Sequence, residues 1–283
     1  MYVLDSPPPL NAVSMRLRIA VILAVRNEAA LLKVLMPILA GQGLDIVIID
    51  NDSTDDTEAV VRDNPLLAYQ RLPFPGYFSL GQQLEAKKRV IGSLDHDWIV
   101  HQDGDEVLQH ADPGRSLRDA ITEADTSGFN TLNFNEFCFL AEPDMDYVGR
   151  DYVTEMRRYY HFRPFPNRLH RAWKRTADLD NTHSLGHKVK GREVKIAPQD
   201  HVLRHYIALS QDQVLAKYQH RVFDAAELEK GFHWNRVGLT PESLKLPKAS
   251  PLLSHTEPGS TGPLRTDPSA KKHFWQWSEV DRG

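Results

Sequence analysis

Asp103-Gly104-Asp105-Glu106 places three carboxylates in four residues, directly after the apolar run Trp98–Val100. Such a cluster repels itself unless a cation lies among its oxygens. Gly104 lets the backbone turn tightly, so Asp103 and Asp105 can converge on one ion. A hard divalent ion, Mg²⁺ or Mn²⁺, suits oxygen ligands and keeps positions open for water and substrate phosphates. It would offset negative charge building on a departing diphosphate. A solvated acidic turn shares this short pattern, so its position in the fold has to decide. A second acidic run, Asp50-Asn51-Asp52 with Asp55 and Asp56, follows the apolar Ile46–Ile49. Ser53 and Asp56 resemble a capping box for a helix carrying Ala59–Val61. Capping does not need Asp50 and Asn51, which are able to hydrogen-bond a base or ribose.

The elements that must position these groups can be read from hydrophobic spacing. Ile19–Val25 is a continuous β-rich apolar run, the pattern of a strand buried on both faces. Asn27 is a candidate cap for a helix with Leu31, Leu32, Leu35, Ile38 and Leu39 at helical spacing, stopped by Gly41 and Gly43. A short strand is expected near 68–72, a helix over 81–93, and another helix opened by Asp112-Pro113. Strand–helix alternation over 19–124 predicts a parallel sheet, in which ligands bind at the carboxyl ends of strands. Both acidic clusters lie at such ends. From 128 the pattern changes. Residues 129–140 alternate as a half-buried strand, 152–162 form a further strand candidate, and 209–228 read as a helix capped by Ser210. The expected organisation is a loose leader at 1–17, an α/β half at 18–127, a second half at 128–237 and a Pro-rich, poorly packed tail at 238–283. Its aromatic end, Phe274 to Trp277, is a candidate to dock back.

The bulk numbers narrow the class. The 283 residues are 41% hydrophobic, enough for a sizeable core. A net charge of −4 argues against a nucleic-acid binder. Cys138 is the single cysteine, so no intrachain disulfide forms and a reducing compartment is the natural setting. The first apolar segment is about seven residues, against roughly 20 for a membrane span. These features predict a cytoplasmic protein; peripheral membrane association and oligomeric state stay open.

Three stretches together, residues 20–32, 45–57 and 97–108, resemble the family 2-type glycosyltransferases, in the subset with Asp-x-Asp-Glu. The resemblance covers roughly residues 18–110. It implies a glycosyltransferase A-type fold: a Rossmann-like, mostly parallel sheet flanked by helices, with a smaller mixed acceptor-side half. It implies a nucleotide-diphosphate sugar as donor, a saccharide or other hydroxyl as acceptor, and Mn²⁺ or Mg²⁺ as cofactor. By position, Val25, Arg26, Asn27 and Glu28 would line the nucleotide pocket, and Asp50, Asn51 and Asp52 would hold the base and ribose. Lys88, within the run Lys87–Arg89, matches a basic residue facing the nucleotide; a charged helix face explains that run equally well. Asp103 and Gly104 would meet the donor, and Asp103 and Asp105 the metal. The stretch 202–221 resembles the same subset, making His205 the residue expected to complete the metal site, with His201 second.

The resemblance points to inversion at the sugar carbon, with a carboxylate taking the acceptor proton. Glu136, Asp178 and Asp180 are the candidates, Asp180 preferred because His183 lies close. Two other readings compete: a nucleotidyltransferase, and a binding module without catalysis. The pairs His183/His187 and His201/His205 have the spacing of helical zinc ligands, but neither carries the glutamate of a zinc protease motif. A dinucleotide-binding oxidoreductase is disfavoured, since no Gly-x-Gly-x-x-Gly follows the first strand.

Overall fold

The computed structural model describes residues 16–282 apart from 165–168, 177, 185 and 258–261. The leader at 1–17 therefore lies outside the described residues save its last two.

The first half alternates as its apolar runs dictate: β1 (Ile19–Val25), α1 (Ala29–Gly41), β2 (Asp45–Asp50), α2 (Thr57–Arg62), β3 (Ala68–Arg71), α3 (Leu80–Ser93), β4 (Trp98–Asp103), β5 (Glu106–Gln109) and α4 (Leu117–Thr126). The second half holds β6 (Thr131–Leu140), α5 (Tyr152–Glu155), β7 (Arg158–Phe162), β8 (His170–Lys174), β9 (His201–Ala208), α6 (Gln211–Tyr218) and α7 (Ala225–Glu229). Two short strands, β10 (Ser254–His255) and β11 (Ser269–Ala270), and a last turn, α8 (Glu279–Arg282), follow. Among the described residues the main path of the sheet runs β10-β7-β6-β8-β4-β1-β2-β3, with β11 added to β7, and β9 bridging β6 to β5.

Four neighbouring strands, β3-β2-β1-β4, are parallel, as expected; β8 then joins β4 antiparallel and makes the whole a mixed sheet. Register brings both acidic runs to one edge. Val25 is level with Asp50, and Ala24 with Asp103. Side chains of β1 alternate between two cores, as a strand's twofold period requires. Ile19, Val21, Leu23 and Val25 pack with Leu32, Leu35 and Leu39 of α1. Ala20, Ile22 and Ala24 pack on the other face with Ala86 of α3.

Several local expectations are corrected. Asn27 does not cap α1; it takes a left-handed conformation (φ 52°) and its Oδ1 accepts the Thr54 amide. Ser53 forms no capping box, because its Oγ accepts the Asn27 amide, while Asp55 takes the Thr57 amide. The Asn27–Thr54 and Asn27–Ser53 contacts tie the loop after β1 to the loop after β2. Asp112 closes a turn onto the Gly114 amide, and α4 starts only at Leu117, where Ser116 and Asp119 form a reciprocal capping box. Strand β6 is buried on both faces, because its polar residues have partners inside: Asn133 bonds Asp200 and the Leu169 amide, and Glu136 bonds His205. Ser210 caps α6 as expected, but that helix ends at Tyr218, since the chain turns to bond Phe78 through the Val222 carbonyl and the Asp224 amide. The tail is not loose. Leu244, Leu246, Phe274, Trp275 and Trp277 join the main core, and Trp277 meets Tyr160 edge to face.

Candidate active site

The carboxyl ends of β1 and β4 open on a cavity of about 610 Å³. Five carboxylates line it among the described residues: Glu28, Asp103, Asp105, Glu106 and Glu136. Each arrives by a different local device. Glu28 follows the loop clamped by Asn27 and Ser53. Asp103 is the last residue of β4, and Glu106 the first of β5. Gly104 between them approaches Glu28 so closely that a Cβ would collide with its carboxylate. Glu136 comes from the middle of β6, and His205 from β9, where it is level with both Glu106 and Cys138.

These acids are interleaved with cations. Lys87, buried on α3, lies 3.6 Å from Asp103 Oδ1 and 2.9 Å from His101 Nε2. Arg171, from β8, meets Glu106 at 2.5 Å and Asp103 at 3.5 Å. Lys217, from α6, donates to Asp105 Oδ2 at 2.5 Å. Arg221 lies over the Phe78 ring at 4.1 Å. Burial alone would raise every carboxyl pKa here. For Asp103 the opposing charges of Lys87 and Arg171 win and hold it below the usual range. Burial of Asp105 is likewise overcome by Lys217 and His205, and its carboxyl lies well below that range. Glu136 is drawn down to about 2 against its burial by the hydrogen bond from His205. In Glu28 burial prevails over Lys217, and in Glu106 over Arg171, leaving them near 8 and 7.

His205 is the junction. Its Nδ1 lies 2.6 Å from Glu136 Oε1 and its Nε2 3.2 Å from Asp105 Oδ2. Against its own burial, Asp105 and the hydrogen bonds lift the imidazole well above its ordinary pKa. In that state the ring donates to both carboxylates, so Nε2 would have to exchange its proton for an ion, with Glu136 on Nδ1 then orienting the neutral ring. Two carboxylates and an imidazole form an oxygen-and-nitrogen donor set that suits a borderline ion such as Mn²⁺ better than Mg²⁺, which prefers oxygen alone. The separation of 3.2 Å matches neighbouring ligands of an ion whose bonds are about 2.1 Å. Glu28 Oε2 is buried without a hydrogen-bond partner, leaving a lone pair that a cation could take. The residues present therefore fit a divalent ion, with Lys217 the group that must share Asp105 with it. Glu136, Cys138 and His205 also bring ligand atoms within 4.8 Å of one another, a group able to hold a metal. Burial pushes the Cys138 thiol up to about 12, so it serves Glu136 as a neutral donor.

Of the residues singled out in the sequence, Arg26, Glu28, Asp103, Asp105, Glu136 and His205 line this cavity. Val25, Asp50 and Asn51 lie buried behind it. The Asp50 carboxylate takes the Ser53 amide and the Tyr69 hydroxyl, and the Asn51 amide donates to the Leu72 carbonyl. Arg26 bonds the Asn51 and Asp52 carbonyls and stacks on Phe74 at 3.5 Å. Asp52 pairs with Arg71. Asn27 borders an adjoining cavity of about 460 Å³. Lys88 is exposed; Lys87 is the lysine of that run that faces the site. Asp178 pairs with Arg192 and Asp180 with His183, both away from the cavity lining. His201 is buried elsewhere, its Nδ1 accepting the Ala111 amide. It shares a strand with His205, so the two stand about 13 Å apart along β9 and form no helical pair.

Sequence reasoning passed over Arg171 and Arg221, which reach the site through tertiary pairing, and His101, whose position two residues before Asp103 on β4 was a usable same-face signal. Lys217 had a usable signal, one lysine on the Ser-capped helix beyond His205.

No protein-family model and no curated protein matches the chain. Among solved structures it is similar to residues 1–349 of S. aureus TarS, free and in complex with UDP, at 12% and 13% identity; both alignments cover 81% of this chain and 75% of that one, with a TM-score of 0.40. A mycobacterial protein is similar at 14% identity over 69% of this chain and 66% of that one, TM-score 0.31. A cytidylyltransferase from Leptospira borgpetersenii is similar at 14% identity over 42% of this chain and 54% of its own, TM-score 0.28. Likeness this distant bears on no substrate or mechanism.

Proposed function

We propose that the chain is a divalent-metal-dependent glycosyltransferase that moves a sugar from a nucleotide-diphosphate donor to an acceptor hydroxyl with inversion. One observation carries this reading: Glu28, Asp103, Asp105 and His205 converge at the carboxyl edge of a parallel sheet, where Lys87, Arg171, Lys217 and Arg221 also face the cavity. Acids alone would repel a diphosphate. Cations on the same walls offset that repulsion and orient the phosphate oxygens. Asp103, Asp105 and His205 would hold the ion, which supplies Lewis-acid charge to the leaving diphosphate when bound.

The chain's own residues do the rest. Arg26, braced on two carbonyls and on Phe74, lies where the nucleoside would sit. Glu136 is the base candidate that lines the cavity. The acceptor oxygen bonds to the anomeric carbon as the bond to diphosphate oxygen breaks, and the acceptor proton passes to the Glu136 carboxylate. That proton becomes strongly acidic as the new bond forms, so a carboxylate held ionised by His205 suffices.

Incubation of the chain with UDP-sugars and Mn²⁺ tests the reading. Release of UDP, abolished by Asp105→Asn, is the expected result. Release of pyrophosphate from UTP and a sugar phosphate would instead make the chain a nucleotidyltransferase. Binding of UDP with no turnover of any donor would leave only the binding module.

A further inference from the structure

The cavity carries more positive charge than a donor diphosphate needs, and its surplus lies in a separate group of residues. Eight lysines and arginines line it among the described residues, against five carboxylates, in a chain whose net charge is −4. Lys87, Arg171 and Lys217 have carboxylate partners, as described above. Arg236, Lys271 and Lys272 have none among the described residues. They come from two segments, 231–236 and 271–276, outside the β1–β4 framework that presents Asp103 and Asp105. His187, His233 and His273 line the same region, and burial keeps all three below their ordinary pKa, with the Arg236 charge adding to the effect. Glu227 takes His233 at 3.1 Å, and Glu136 is occupied by His205. Among the described residues no carboxylate forms an ion pair with Arg236 or the two lysines. Lys271 and Lys272 are exposed and Arg236 half-buried, and like charges gathered along one wall of a cavity draw an anion in.

An apolar platform stands beside them. Trp234 is 70% exposed, whereas Trp98, Trp173, Trp275 and Trp277 are buried. His233, immediately before it, is held in a left-handed conformation (φ 58°), and such strain persists where the surroundings enforce it. An exposed indole lining a cavity offers a flat apolar face and an N–H, the usual means of gripping a sugar ring.

We infer that the acceptor is an anionic saccharide, its ring laid on Trp234 and its phosphate or carboxylate held by Arg236, Lys271 and Lys272. This rests on the transferase reading and adds the acceptor class to it. Isothermal titration of the full chain, saturated with UDP and Mn²⁺ so that the diphosphate positions are filled, tests it with glucose 6-phosphate, glucuronate and glucose as probes. One or both charged sugars are expected to bind at least about tenfold more tightly than glucose; comparison of the two separates phosphate from carboxylate. Arg236→Gln/Lys271→Gln/Lys272→Gln should erase the preference while leaving UDP affinity within about twofold, a control that also reports folding. Trp234→Ala should weaken the charged sugars too, without touching UDP. UDP binding with no preference for either charged sugar, or a preference that survives the triple substitution, overturns this inference alone. Absence of UDP binding overturns the transferase reading and takes the inference with it.

Discussion

Asp105 and His205, one hundred residues apart, face each other across 3.2 Å. Antiparallel pairing of β5 with β9 sets this contact, because Glu106 is level with His205. Glu136 then fixes the far side of the ring. Removing that carboxylate should loosen the imidazole without emptying the site. Glu136→Gln is expected to weaken Mn²⁺ binding about 10-fold to 100-fold. A thermal-shift titration with Mn²⁺ measures it, and an unchanged midpoint would show that His205 needs no such support.

Gly104 has no left-handed backbone, but it stands against the end of the Glu28 side chain, which a Cβ there would push aside. Gly104→Ala drives a methyl group into the Glu28 carboxylate. Overpacking of this kind costs about 1–3 kcal/mol. Trimming the obstacle in Gly104→Ala/Glu28→Ala should restore most of that loss. Chemical denaturation of the two single variants and the double variant reads the coupling; simple additivity would contradict it.

Lys87 and Lys88 are neighbours with opposite fates. Lys87 is 3% exposed and bonds His101 and Asp103, while Lys88 faces solvent. Lys87→Met is expected to weaken UDP binding by at least about tenfold, the loss of one charge-assisted contact. Lys88→Met should stay within about twofold. Equal effects from both would place the nucleotide elsewhere.

That pair shows where sequence reading succeeds and where it stops. Trp98–Val100 followed by three acids announced its own strand and its own carboxyl edge, since burial and charge sit side by side in the chain. The helix 80–93 was equally plain. Its rotation was not: Gln83, Leu84, Ala86 and Lys87 turn inward, so a buried lysine occupies a place that periodicity assigns to apolar residues. Asp50 and Asn51 read as ligands, yet the Ser53 amide and the Tyr69 hydroxyl take up Asp50, and the Leu72 carbonyl takes up Asn51. Arg171 was invisible because β8 brings it to β4 across some seventy residues. The tail misled because prolines suggest looseness, whereas Phe274, Trp275 and Trp277 bury enough apolar surface to pin it.

His201 should cost the fold stability on mild acidification. Burial pushes His201 from 6.5 down to about 4, and as a neutral ring it accepts the Ala111 amide through Nδ1. Below pH 6.5 the unfolded chain takes up a proton that the folded chain refuses. Stability therefore drops as pH falls from 6.5 to 4, by about 3 kcal/mol at most from this one group. His201→Gln keeps an acceptor for the amide and removes the titration. The melting temperature of this variant should fall less between those pH values than that of the native chain. Parallel curves would show that His201 is not the group responsible.

The central claim is that Asp103 and Asp105 bind a divalent ion together with a nucleoside diphosphate. Isothermal titration of UDP into the native chain and into Asp103→Asn/Asp105→Asn, each with Mn²⁺ and with EDTA, tests it most directly. Binding that needs Mn²⁺ in the native chain and weakens at least about a hundredfold in the double variant is the predicted result. UDP affinity indifferent to the ion, or undiminished by the double substitution, would contradict it.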